Sequence, residues 1–231
     1  MNTCYWCERE IIKQLDWKTL IIGRENDLLC EECIKELEVI NEPFCMKCFK
    51  SSTDKICDDC KNWEEYFLGN DPLEKNISTF YYNEFVKEII AKWKYRGDYI
   101  LGKIFYHEIK LTIKRYYQPY LKEAVLVPIP LSNNRISERG FNQSELIAQL
   151  MTNDHKKIVH LLERVDDEKQ SKKSRMERIY TKNPFKLRKT INNSVILVDD
   201  IYTTGTTIRH AARLLKENGC PAVYSYTLVR G

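Results

Sequence analysis

Four C-x-x-C pairs, Cys4/Cys7, Cys30/Cys33, Cys45/Cys48 and Cys57/Cys60, lie within the first 60 residues and constrain the fold more than any other feature of the chain. The apolar residues among them come in short pieces, such as Leu20-Ile21-Ile22 and Leu28-Leu29, too few for an independent core. A segment of that size needs a staple, and metal supplies one. The N-terminal text MNTCYWCEREIIKQ is polar and acidic, and no run of 18 uncharged apolar residues follows, so neither a secretory signal nor a membrane span is expected. In such a chain, expected in the cytoplasm, thiols stay reduced and close pairs read as metal ligands.

Two pairs complete one tetrahedral site, and zinc is the usual occupant of four-cysteine structural sites, so two structural Zn²⁺ are expected. Neighbouring pairs close the shorter loops. That favours sequential sites, Cys4/Cys7/Cys30/Cys33 and Cys45/Cys48/Cys57/Cys60; an interleaved arrangement, first pair with third and second with fourth, is the alternative. Four thiolates leave no open position for catalysis, and the C-x₂-C-x₂-C run of an iron–sulfur site is absent. The remaining cysteine, Cys220, reads as a small buried apolar residue.

Charge divides along the same line. Residues 1–65 hold 9 Lys and Arg against 15 Asp and Glu, and residues 66–231 hold 28 against 18, so a net charge of +4 hides an acidic head and a basic body. Metal thiolates make the head more negative still. Any nucleic acid, single-stranded DNA included, is therefore expected on the body.

Past the cysteines, EEYFLGNDPLEKNIS mixes Gly, Asn, Asp and Pro and reads as a connection. This gives a double zinc-ribbon head over 1–65, a linker over 66–78 and a larger domain over 79–231. Phe85, Ile89 and Trp93 recur at four-residue spacing, which predicts a helix from about Asn83 to Tyr95 with those three in the core. Lys94 and Arg96 beside them face either the anionic ligand or solvent, with solvent the favoured reading. Further on, the pattern predicts a helix over Ile100 to Tyr116, a strand over AVLVPIP (124–130), and a helix opened by Arg139-Gly140-Phe141-Asn142 and running to about Leu150. Arg139 and its neighbours either meet a phosphorylated ligand or form a helix cap with an aromatic staple. RVDDEKQSKKSRMER (164–178) lacks an amphipathic period and reads as a mobile loop. Ser194 to Val198 is a strand, Thr206–Asn218 a helix stopped by Gly219 and Pro221, and AVYSYTLVR the last strand. Strands alternating with helices, apolar on both faces, predict an α/β fold with a parallel sheet flanked by helices.

The sharpest chemistry lies in VILVDDIYTTGTTI, 195–208. An apolar strand ends in Asp199 and Asp200, and the turn Tyr202, Thr203, Thr204, Gly205, Thr206, Thr207 leads into a helix. Ligands of open α/β sheets bind at that end of the strands. The backbone N–H groups of Thr203 to Thr207, their hydroxyls and the helix N-terminus form a cradle for a phosphate monoester, and Gly205 is free to take a positive φ. Carboxylates repel phosphate, so Asp199 and Asp200 suit vicinal hydroxyls or a hydrated Mg²⁺. Together these features describe a ribose 5-phosphate site; the alternative is an ordinary buried strand with an N-capping Asp.

At these residues the chain resembles the type I phosphoribosyltransferases. The resemblance implies that the turn holds the 5-phosphate of phosphoribosyl pyrophosphate (PRPP) and that Asp199 and Asp200, the catalytic carboxylates, hold the ribose hydroxyls. It also implies a pyrophosphate loop after the VPIP strand, around Leu131 to Arg135, working with Mg²⁺. Arg139 is a further candidate for the ligand's charge. Three more strings, Lys94-Tyr95-Arg96-Gly97-Asp98, Val127-Pro128-Ile129-Pro130-Leu131 and Glu138-Arg139-Gly140-Phe141-Asn142-Gln143, resemble the ComF family of competence proteins, as do Arg164, Gln170, Arg178, Asn183 and the cysteine-pair head. That resemblance covers essentially the whole chain. It implies a role in natural transformation, moving imported single-stranded DNA into the cytoplasm with a ComFA-type helicase. Base-transferring relatives carry a hood for the acceptor, yet only 24 residues follow Thr207, so PRPP binding ranks above transfer to a nucleobase or amine. A nucleic-acid adaptor whose turn grips a DNA phosphate is the third reading.

Overall fold

The computed structural model describes residues 3–11, 28–95, 98–165 and 183–231. The C-x-x-C pairs take two local shapes. Cys4/Cys7 and Cys45/Cys48 sit in tight turns that Glu8 and Phe49, both at φ 62°, carry through the left-handed region. The amides of Cys4 and Cys45 then donate to the carbonyls of Arg9 and Lys50, each at 2.8 Å. Cys30 and Cys57 are extended residues that precede α1 (Glu31–Lys35) and α2 (Asp58–Tyr66), so Cys33 and Cys60 come from first helical turns. Each half of the head is thus one turn pair plus one helix pair, a duplication deeper than the cysteine spacing shows.

The body runs β1 (Lys75–Tyr81), α3 (Glu84–Tyr95), a 3-10 segment (Tyr99–Phe105), α4 (Tyr106–Tyr116), β2 (Val125–Pro128), α5 (Asn133–Arg139), α6 (Gln143–Met151), β3 (Leu162–Arg164), β4 (Phe185–Leu187), β5 (Val195–Tyr202), α7 (Thr206–Glu217) and β6 (Val223–Arg230). The main sheet has the order β1–β6–β5–β2 with every pair parallel, so the C-terminal ends of all its strands share one edge. β3 and β4 form a separate antiparallel ribbon around residues 166–182. Most of the expected mobile loop, 164–178, with Gln170 and Arg178, lies outside the described residues, as do Arg96 and Gly97.

Successive residues of β5 part to opposite faces. Ile196 and Val198 join Leu126, Tyr226 and residues of α3, α4 and α6 in one core, and Val195 and Leu197 join Val127, Val223 and Ile208, Ala211 and Leu215 of α7 in a second. Each Leu or Ile so buried contributes about 1.5–3 kcal/mol. The head straddles the sheet. Cys4 and Cys33 belong to the first core with Leu29, Leu37 and Ile40, while Cys45, Cys48, Cys57 and Cys60 belong to the second.

Three expectations change. The segment 66–78 is not an open connection: Leu73 is fully buried, and β1 begins at Lys75. Its polar residues hid the strand, because Asn76, Ser78 and Thr79 are buried and bonded across it, Ser78 to Thr227 at 2.7 Å and Asn76 to Ser225 at 2.9 Å. The stretch from Leu131 to Arg135 is only partly a loop, since Ser132 accepts from the Arg135 amide and caps α5. β5 runs on to Tyr202, past Val198, because β6 keeps pairing with it there.

Candidate functional site

β2 ends at Pro128, opposite Val198, and β5 continues one step further to Asp199, which faces Thr227 on β6. The last bond between the two strands runs from the Ile129 amide to the Val198 carbonyl at 2.9 Å, and beyond it β5 continues without β2 beside it. The gap is filled from α6. Asn142 caps that helix by accepting from the Ser144 amide at 3.0 Å, and the Ser144 hydroxyl donates to Asp199 Oδ1 at 3.1 Å. The Asp200 amide donates to the same oxygen at 2.9 Å. Burial, and then the neighbouring Asp200 carboxylate, push the Asp199 carboxyl up to about 7. It therefore exchanges its proton near neutral pH.

Lys94, at the end of α3, is ion-paired with Asp200 and is not a solvent-facing residue. The reason is topological: β1 ends at the same sheet edge as β5, α3 begins three residues later, and its last turn stays at that edge, beside Asp200. The carboxylate pair thus carries one built-in counter-charge.

Beyond Tyr202 the chain turns. Thr203 is exposed, the Thr204 and Thr206 hydroxyls lie 2.8 Å apart, and Gly205 takes φ 79° before α7 starts at Thr206. The first amides of α7 have no acceptor within the helix; that of Thr206 donates to the Thr204 hydroxyl at 3.4 Å, and the positive end of the helix favours an anion beside the turn.

Tyr202 is a correction. Its ring is 2% exposed, and its hydroxyl accepts from Arg209 Nη1 at 2.5 Å, so the side chain lies beneath the turn and not in the cradle. Arg209 is held from its other side by Asp71, with Nη2 to Oδ2 at 2.8 Å and Nε to Oδ1 at 3.1 Å. This packing explains Gly205 twice over. Its φ is left-handed, and a methyl group there would run into the Tyr202 hydroxyl and the Arg209 guanidinium.

Arg139 ends α5 and donates to Gln143 Oε1 at 3.1 Å, while Phe141 lies edge-on to Tyr99 with centroids 5.5 Å apart. Asn142 is the cap, the ring contacts of Phe141 go to Tyr99 and Trp93, and Arg139 meets the start of α6 rather than the turn. Asn183 donates to the His210 carbonyl at 2.8 Å, which ties the β3–β4 ribbon to α7.

Among the described residues two groups can hold a metal ion, Cys4/Cys7/Cys30/Cys33 and Cys45/Cys48/Cys57/Cys60, each with its sulfurs within 4.8 Å of one another. This is the sequential grouping. The sulfur pairs Cys7–Cys30, Cys45–Cys60 and Cys48–Cys57 are 3.7, 3.9 and 3.6 Å apart. A tetrahedron with Zn–S bonds of about 2.3 Å has edges of about 3.8 Å, so the donor sets fit zinc. Hydrogen bonds from Arg9, through its amide and its guanidinium, lower the Cys7 thiol to about 6 and favour the thiolate that a metal needs.

Residues 143–231, from α6 through the turn to the last strand, match the family model of the phosphoribosyl transferase domain. A parallel sheet with this acidic pair and turn at its C-terminal edge is a phosphoribosyltransferase-type fold. The chain is 36% identical to competence protein ComFC of Bacillus subtilis (strain 168), over 98% of this chain and 94% of that one. It is 34% identical to competence protein ComFC of Streptococcus pneumoniae, over 98% and 99% of the two chains. The DNA utilization protein YhgH of Escherichia coli (strain K12) is 31% identical over 46% of this chain and 48% of its own. The chain belongs to the ComF family of competence proteins, with a phosphoribosyltransferase domain. Among the described residues no helix is long and apolar enough to cross a membrane.

Proposed function

We propose that this chain binds PRPP with Mg²⁺ and acts in natural transformation, on imported single-stranded DNA in the cytoplasm, alongside a ComFA-type helicase. The observation that carries the PRPP reading is the placing of Asp199 and Asp200, with Lys94 as counter-ion, beside the Thr203–Thr207 turn on one sheet edge. The turn and the N-terminus of α7 take the 5-phosphate. The carboxylates accept from the ribose hydroxyls, and Leu131 and Ser132, past the end of β2, adjoin the pyrophosphate with its Mg²⁺. The names of the ComFC relatives support the pathway, and the basic body supplies the surface on which DNA would lie. Two Zn²⁺ in the cysteine sets hold the head in shape, and their four thiolates each leave no room for catalysis.

One observation favours turnover as a second reading. A carboxyl pushed up to about 7 can accept a proton from an attacking acceptor near neutral pH, as a general base does. In that case a nucleobase or amine would displace pyrophosphate while the ribose ring gains positive charge, and the chain would contribute positioning and charge stabilisation rather than a nucleophile. Calorimetry with PRPP and Mg²⁺ tests the first reading, and pyrophosphate release with candidate acceptors tests the second. Loss of transformation in cells carrying Asp199→Asn with Asp200→Asn, at normal protein levels, would join the site to the pathway.

A further inference from the structure

Arg230, the last residue of β6, is 4% exposed, and its guanidinium is divided between the second cysteine set and the turn. A buried guanidinium needs hydrogen-bond acceptors and negative charge around it. On one side its Nε donates to the Cys48 carbonyl at 3.1 Å and its Nη2 to Cys48 Sγ at 3.5 Å. Four thiolates around a divalent ion keep a net negative charge, so the second cysteine set presents that charge to Arg230 when metal is bound. On the other side Nη1 donates to the carbonyls of Tyr202 at 3.1 Å, Thr203 at 3.0 Å and Gly231. The guanidinium also stacks on the Tyr202 ring, 4.8 Å from its centroid.

Two more ties run from the same set to the same turn. Trp63, on the helix that carries Cys60, donates Nε1–H to the Thr204 carbonyl at 2.8 Å. Lys47, between Cys45 and Cys48, pairs with Asp71 at 3.1 Å, and Asp71 holds the Arg209 that supports Tyr202 under Gly205. In a trans peptide the C=O and the following N–H point in opposite directions. Holding the carbonyls of residues 202, 203 and 204 toward the cysteine set therefore turns the amides of Thr203, Thr204 and Gly205 away from it, to the side where a phosphate would sit.

The first cysteine set has none of these ties. Trp6 lies edge-on to Phe85 at 5.6 Å, and Asn83 donates to the Glu36 carbonyl at 2.8 Å. Its contacts go to β1 and α3, and among the described residues none reaches 202–207.

We infer that Arg230, Trp63 and Lys47 are positioning residues that make metal in Cys45/Cys48/Cys57/Cys60, and not in the first set, a condition for the ligand-ready shape of the phosphate turn. The inference rests on the PRPP reading of that turn. The test uses the full zinc-loaded chain, with zinc per chain, Mg²⁺·PRPP affinity by calorimetry and hydrogen exchange of the Thr203–Thr207 amides as readouts. Trp63→Phe and Arg230→Lys should each keep their zinc, lose about tenfold in affinity, the scale of one hydrogen bond to a buried group, and exchange faster at those amides. Cys57→Ser should lose one zinc ion and the larger part of the affinity. Trp6→Leu, which removes the edge-on contact between the turn of the first set and Phe85, should keep the affinity and the turn exchange of the parent. Parent-like affinity and exchange in both Trp63→Phe and Arg230→Lys would overturn the inference, as would an equal loss in Trp6→Leu. If Cys57→Ser fails to fold, those two metal-retaining variants decide. If the parent binds no PRPP, the proposed function fails, while the ligand-free exchange of the turn amides still decides the coupling.

Discussion

Lys94 and Asp200 form an ion pair that joins the last turn of α3 to the end of β5, both side chains only 15% exposed. Removing that ammonium takes a positive charge away from the place where an anionic ligand would lie, and it leaves two adjacent carboxylates without a counter-ion. Lys94→Met is expected to weaken Mg²⁺·PRPP binding about ten- to hundredfold, the range for losing a charged hydrogen bond, as read by calorimetry at constant pH. Unchanged affinity would mean that Lys94 serves the fold alone.

Affinity for PRPP is expected to fall as pH drops from 8 to 6. Asp199 takes up its proton at about 7 and then accepts fewer hydrogen bonds from a ribose diol. Calorimetry across that window, corrected for ligand ionisation, reads the effect. A flat profile would show that Asp199 does not meet the ribose.

The same carboxyl affects stability in the opposite sense. Folding raises Asp199 above its ordinary 3.8, so the fold favours the protonated form; that favourable contribution is complete below about pH 4 and is lost as pH rises through 7. Asp199→Asn cannot ionise. It is expected to match the parent near pH 4 and to exceed it at pH 8 by up to about 4 kcal/mol, which thermal denaturation at the two pH values would show.

Gly205→Ala forces a side chain into a left-handed backbone and into the Tyr202–Arg209 pair. The backbone alone costs about 1–2 kcal/mol, and the clash adds to it. A lowered Tm together with lost PRPP binding is expected; an unaffected Tm would show that the turn relaxes freely.

Removing zinc with a strong chelator is expected to unfold the head and to disturb both cores, since Cys4 and Cys33 pack in one and Cys45, Cys48, Cys57 and Cys60 in the other. Metal analysis of the untreated protein should find two zinc ions per chain, one per site. Loss of tryptophan fluorescence structure at Trp63 and Trp93 on chelation reports the two sides, since both residues are buried.

Much of this was legible in the sequence because it is local. Phe85, Ile89 and Trp93 mark α3, Asn83 caps it by accepting from the Val86 amide at 2.8 Å, and the apolar run of β5 ends in the acidic pair as its pattern requires. β1 was not legible. Asn76, Ser78 and Thr79 look like turn residues until the partners that satisfy them, Ser225, Thr227 and Tyr226, are brought alongside from the far end of the chain. α5 was hidden for a different reason: it buries no residue, so it leaves no apolar period. The motif alone places Tyr202 in the cradle, and its burial follows from Arg209 one helical turn into α7. The ties of Trp63 and Arg230 to the turn carry no local signal, because each joins residues that only the tertiary fold makes neighbours.

Calorimetric titration of the full zinc-loaded chain with PRPP in the presence of Mg²⁺, repeated on Asp199→Asn with Asp200→Asn, tests the ribose-phosphate site most directly. Saturable binding at one site per chain, abolished by the double substitution while circular dichroism stays unchanged, is the predicted result. An absence of binding by the unsubstituted protein, or equal binding by the substituted one, would contradict it.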